Sequence, residues 1–161
     1  MTIPNTVHAF LREKGVPYQT VNHSPSKSSL QSAISAQVPL HKLAKAVILR
    51  DADKHYLMAI IPAANRVQIH QLNQVTNASF HLATEAEVYQ QFQDCKPGAV
   101  PPIGQPYQMD MMWDDRLANS PDIYLEAGDH ETLIHLLQEN FQQLISGMPH
   151  HDLCSMPAKD Q

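Results

Sequence analysis

From Asn5 to Lys14 the apolar residues Val7, Phe10 and Leu11 recur at helical spacing, with Asn5 or Thr6 placed to cap the helix and Gly15 to end it. Val16 to Asn22 is rich in β-forming residues, and Pro17 near its start suits the opening of a strand or a sheet edge. After the break at His23-Ser24-Pro25-Ser26, Ser28 or Ser29 can cap a helix carrying Leu30, Ala33 and Ile34, which Pro39 closes. Leu43–Arg50 and His55–Ile61 are two apolar runs joined by the polar turn Asp51–Lys54. They predict a buried hairpin at the centre of a sheet.

Beyond that hairpin the pattern is less regular. His70–Thr76 predicts a short helix and Ser79–Leu82 a short strand. Thr84 followed by Glu87 is a capping-box pattern, opening a helix over Glu85–Phe92. Tyr107–Trp113 and Asp122–Glu126 predict strands around a turn at Asp114–Pro121. Leu133–Ile145, with Leu136, Leu137, Phe141, Leu144 and Ile145, predicts a closing amphipathic helix. Strands interleaved with helices, and at least one hairpin, imply an α/β fold: one domain over 1–146, with a mixed, largely antiparallel sheet and packed helices. The polar stretch 147–161 predicts a disordered tail.

A chain of 161 residues, 43% of them apolar, supports one well-filled core. No apolar run reaches the length of a membrane span and no signal peptide is visible, so a cytoplasmic protein is expected. The formal charge of −5 excludes a polycation that holds nucleic acid by overall charge; a tRNA contact requires a local basic patch. Cys95 and Cys154 read as free thiols. The ten histidines include no closely spaced ligand trio, so neither a metal nor another cofactor is expected.

Three features are candidates for chemistry. Lys45 interrupts the apolar run LAKAVIL, where an ammonium must either reach solvent on an open sheet face or serve a site. Pro97, Pro101, Pro102 and Pro106 stiffen a loop in which Gly98 and Gly104 allow close approach of a ligand to the backbone. The plain alternative is a stiff connection. Gly128 and His130 lie at a strand end, where an imidazole can orient water or merely cap a turn. No Walker loop, dinucleotide fingerprint or GxSxG elbow is present.

Four segments occur in an order that carries a resemblance: Lys45-Ala46-Val47, Pro62-Ala63-Ala64-Asn65-Arg66, Phe80-His81-Leu82-Ala83-Thr84-Glu85 and Gly98-Ala99-Val100-Pro101-Pro102-Ile103-Gly104. The sequence resembles the YbaK/ProX aminoacyl-tRNA deacylases and the editing insertion domain of bacterial prolyl-tRNA synthetases. The resemblance implies a trans-editing ester hydrolase that binds the acceptor end of an aminoacyl-tRNA, with prolyl-tRNA synthetase as a partner and no role for DNA. It implies Lys45 and His130 as catalytic residues, and Gly98, Ala99, Val100, Pro101, Pro102, Gly104, Arg66 and Gly128 as substrate-binding residues. The Gly128–His130 segment is closer to the insertion-domain branch, which points to Ala-tRNA(Pro) as substrate. Cys-tRNA(Pro) or another small aminoacyl-tRNA is one alternative. A non-catalytic tRNA- or small-molecule-binding module of the same fold is the other.

Overall fold

The computed structural model describes residues 3–154. Helix α1 (Asn5–Glu13) buries Val7 and Leu11. Strand β1 (Gln19–Asn22) begins three residues later than the β-rich pattern predicts, because Pro17 and Tyr18 precede its pairing. Ser28 caps α2 (Ser29–Ala36), accepting the Gln31 amide on its hydroxyl, and Gln37 ends the helix in the left-handed conformation. The predicted hairpin forms as β2 (Leu43–Arg50) and β3 (Tyr56–Pro62), in continuous antiparallel register from Ala44↔Pro62 to Arg50↔Tyr56. Next come α3 (Ile69–Thr76), a two-residue β4 (His81–Leu82) and α4 (Glu85–Gln91), whose Thr84–Glu87 capping box is complete.

The second half completes the sheet. Strand β5 (Asp110–Asp114) is shorter than expected, since Gln105–Tyr107 forms a turn of 3-10 helix. Strands β6 (Asp122–Glu126) and β7 (Thr132–Leu137) form a second hairpin, followed by α5 (Gln138–Ile145) and β8 (His150–His151). The strand order is β1-β7-β6-β2-β3-β5-β8, with β4 pairing β2. The hairpins and β1–β7 are antiparallel, while β2–β6, β3–β5 and β5–β8 are parallel, so the sheet is mixed and mostly antiparallel.

Alternation along β2 divides the interior. Ala44 and Ile48 face a core with Met58, Ile60, Trp113, Leu125 and Ile134, closed by α1 and α5. Leu49 faces the other side with Leu57, Ala59, Ile61 and Leu72. Leu43 packs there too, with Ala33 of α2 and Leu133.

Two expectations are corrected. Leu133–Leu137 is strand, not the first half of a helix: its run TLIHLL satisfies both periods, and pairing on both edges, with β6 and β1, decides for the strand. Ile134 and Leu136 then fill one core while Leu133 fills the other. Residues 147–154 are not a disordered tail. Leu153 is fully buried, its amide donates to Asp114 Oδ2 at 2.6 Å, and its carbonyl accepts the Gln68 amide at 2.7 Å. Cys154 is buried beside Leu153 and β8 pairs with β5, contacts that the polar composition of the segment conceals; the rest of the expected tail, 155–161, lies outside the described residues.

Candidate active site

The sheet has an opening beside Lys45. On the side of β2 away from β3, pairing with β6 stops at Ala44↔Leu125 and pairing with β4 starts at Leu49↔Leu82. The edge at Lys45–Val47 therefore has no strand partner there among the described residues. The Ala63 amide donates to the Leu43 carbonyl, so odd-numbered residues of β2 turn their main chain toward β3. The Ala83 amide reaches the Ile48 carbonyl from the opposite side, as that alternation requires. The main-chain groups of Ala46 consequently face the opening.

A cleft of about 430 Å³ occupies this gap. Its floor is Lys45–Ile48; Val88 of α4, Phe92 just after that helix and Ala83 just after β4 supply one wall, and Gly98 and Val100 supply another. Lys27 and Ser29, at the start of α2, and Glu126, at the end of β6, complete it. Leu82 and Tyr89 stand at the mouth, 55% and 48% exposed. Three lysines, Lys27, Lys45 and Lys96, line the same cleft, although the chain as a whole is acidic. Lys96 lies 3.9 Å from Glu131; elsewhere Lys42 is paired with Asp122, Arg50 with Glu87, and Lys14 lies over the Phe10 ring.

Burial holds the Lys45 ammonium below the ordinary lysine range; Arg66 acts in the same direction and Cys154 against it. Lys45 is thus within electrostatic reach of the segment after β3 and of the C-terminal segment. Arg66 itself is exposed and is not part of the cleft lining. Glu126 has its carboxyl pushed up, first by burial, although its Oε2 accepts the Ala127 and Gly128 amides at 3.0 and 3.2 Å.

The loop divides into exposed and structural parts. Gly98 and Val100 reach the cleft, whereas Ala99, Pro101, Pro102 and Gly104 are buried under it. A Cβ on Gly104 would lie 2.8 Å from Met111 Cγ and 2.9 Å from the Met109 carbonyl, so this glycine is required by packing. Gly128, at φ +119°, has Pro4 against its α-carbon, and its carbonyl accepts the Lys96 amide at 2.9 Å. His130 sits behind the loop: its Nε2 donates to the Pro97 carbonyl at 2.6 Å and its ring packs under Gly98. It is not among the residues lining the cleft.

Sequence reasoning passed over Glu126, Ser29 and the α4 wall. The charged end of the alternating strand DIYLE was the available signal for Glu126. The thiols offer no nucleophile: burial pushes Cys95 up to about 12, and burial likewise raises Cys154. Asp51, Asp53 and His55 are close enough to share a cation. Asp51, however, is already engaged by the Asp53 and His55 amides in the β2–β3 turn.

The model of the aminoacyl-tRNA editing domain matches residues 23–144. No protein of curated function matches in sequence. The fold is similar to that of the hypothetical protein APE2540, with a TM-score of 0.83 at 18% identity over 94% of this chain and 100% of that one. It is similar also to a candidate trans-editing enzyme for prolyl-tRNA synthetase, with a TM-score of 0.80 at 16% identity over 96% and 99%. A candidate signal transduction protein from Marinobacter aquaeolei VT8 shares the fold at a TM-score of 0.76 and 19% identity; the match covers 95% of this chain and 31% of that longer one. These identities speak to the fold, while the 23–144 match takes in the gap in the sheet, all three lysines and Glu126: the chain belongs to the aminoacyl-tRNA editing domain family.

Proposed function

We propose that the cleft hydrolyses the ester of a mischarged aminoacyl-tRNA, with Ala-tRNA(Pro) as the substrate and water as the nucleophile. The observation that carries this reading is the unpaired edge of β2, where main-chain groups and three lysines meet in one cleft. Lysines supply the local positive potential that a polyanionic acceptor end requires from a chain of net charge −5. Tyr89 at the mouth is a surface on which the terminal base can stack. With both thiols buried and shifted upward, orientation of water, aided by the terminal ribose hydroxyl, is favoured over a covalent route.

Alanine as the acyl group rests on the likeness of Gly128–His130 to the insertion-domain branch. It has a physical rationale: a synthetase site sized for proline rejects smaller side chains poorly, and a second, small site is the remedy. Prolyl-tRNA synthetase as a partner and a cytoplasmic setting belong to the same proposal. Among the described residues no helix is long and apolar enough to cross a membrane.

The test is hydrolysis of Ala-, Cys-, Ser- and Pro-charged tRNA(Pro) by the wild type and Lys45→Ala. We expect turnover of Ala-tRNA(Pro), sparing of Pro-tRNA(Pro), and a loss on the order of 10- to 100-fold in kcat/KM for Lys45→Ala. No turnover of any substrate refutes deacylation. Faster release of cysteine than alanine refutes the alanine assignment alone.

A further inference from the structure

We infer that Glu126 determines specificity by taking the free α-ammonium of the aminoacyl ester, so that the cleft selects esters of amino acids over uncharged acyl esters. This deepens the deacylase reading and rests on it.

Glu126 lines the cleft at the end of β6 and makes no ion pair within 4 Å among the described residues, although Lys27, Lys45 and Lys96 line the same cleft. Its orientation is fixed: Oε2 is engaged by the Ala127 and Gly128 amides, and Oε1 accepts no hydrogen bond among the described residues. A largely buried carboxylate with one free oxygen in a cleft is a receptor for a donor-bearing cation.

His23, His130 and Asp129 act on its charge. His23 bonds the Ser24 carbonyl through Nδ1, and His130 bonds the Pro97 carbonyl through Nε2. A carbonyl only accepts, so each of those nitrogens carries a proton. The other ring nitrogens, His23 Nε2 and His130 Nδ1, are both buried without a hydrogen-bond partner. Both imidazoles lie within electrostatic reach of Glu126 and favour its ionised form, while Asp129 opposes it. Asp129 supplies negative potential there, its carboxylate held by the Glu131 and Thr132 amides and the Thr132 hydroxyl. An ammonium placed at Oε1 forms a charge-assisted hydrogen bond with the free carboxylate oxygen, whereas an acyl chain ending in a hydroxyl brings no charge to it.

The test compares Ala-tRNA with lactyl-tRNA, in which a hydroxyl replaces the ammonium with little change in bulk. Each rate is divided by the spontaneous hydrolysis of the same ester. The wild type is expected to favour Ala-tRNA by about 10- to 100-fold in kcat/KM, the range for hydrogen bonds to a charged group. Glu126→Gln retains an oxygen for the Ala127 and Gly128 amides and replaces the free oxygen with a donor. It is expected to bring the two substrates within about 3-fold of each other by loss on Ala-tRNA alone. Equal normalised rates in the wild type, or an equal loss on both substrates in the variant, overturn the inference and leave Glu126 a structural counter-ion to the lysines.

If neither ester turns over, the deacylase reading fails and the subsite is judged by binding. Affinities of 3′-alanylamido- and 3′-lactylamido-adenosine are compared by calorimetry. A preference for the amine that disappears in Glu126→Gln sustains the subsite; no preference overturns it.

Discussion

Replacing His130 with alanine separates a loop-holding histidine from a chemically active one. The side chain contributes the 2.6 Å bond from Nε2 to the Pro97 carbonyl, a net ~0.5–1.5 kcal/mol. Pro97 is exposed, so water takes over its carbonyl in the variant. Against that loss, the variant removes the buried, unpaired Nδ1, whose penalty is of similar size, ~1–3 kcal/mol. Backbone strain at φ +63° remains in both proteins. Global stability therefore changes by less than ~1 kcal/mol, a Tm shift of no more than about 2–4 °C for a chain of this size. The loop beside the cleft loses the whole ~1 kcal/mol of its anchor. Hydrogen exchange at Gly98–Val100 is expected to rise about 5-fold, and kcat/KM on Ala-tRNA(Pro) to fall by a similar factor. A general base contributes about 10²–10⁴-fold. A fall in kcat of more than 100-fold, with exchange in the loop unchanged, would refute the positioning role and return His130 to the chemistry.

Two further outcomes test the fold around the site. Gly104→Ala drives a methyl to 2.8 Å from Met111 Cγ and 2.9 Å from a main-chain carbonyl that cannot move aside easily. A loss of ~1–3 kcal/mol and a Tm lower by roughly 3–10 °C are expected by thermal denaturation; an unchanged Tm contradicts the packing account. Asp122 accepts Lys42 Nζ and His135 Nε2, both at 2.8 Å, and Lys42 foremost holds its carboxyl below the ordinary range. A depressed carboxyl contributes stability above its unfolded value of ~3.9 that is lost as pH falls through the folded value. The urea midpoint of the wild type should thus fall more steeply below pH 5 than that of Asp122→Asn. Parallel slopes would remove the ion pair from the account.

Local signals were legible wherever one period dominated. The β2–β3 hairpin, the capping box at Thr84 and the Ser28 cap form where spacing and turn residues agree. TLIHLL misled because a continuous apolar run satisfies strand and helix alike, and the strand was decided by β1 and β6, the former more than a hundred residues earlier in the chain. Residues 147–154 misled for the opposite reason. A segment that is polar on average is seated by Leu153 and Cys154 in the core and by the pairing of β8 with β5, with Asp114, whose buried carboxylate also takes the Arg116 amide, receiving the Leu153 amide.

The site combines both cases. Lys45 stood out because a lysine breaks an apolar strand, a purely local contradiction. Glu126 gave no such signal, since a charged residue at a strand end is ordinary. Its importance comes from the parallel register Leu43↔Tyr124 and Ala44↔Leu125, which, extended by one residue, sets position 126 beside position 45 on the same face of the sheet. The strands part at that step, β4 does not rejoin β2 until Leu49, and the space left between them is the cleft. A side chain in that space is shielded by two strands that do not touch, which leaves its charge incompletely solvated and free to bind. Single residues can mark one wall of such a site in the sequence, but the opposite wall exists only through a non-local register. For that reason, the Glu126→Gln comparison on paired ammonium and hydroxyl esters probes the topology of the sheet as directly as it probes the chemistry.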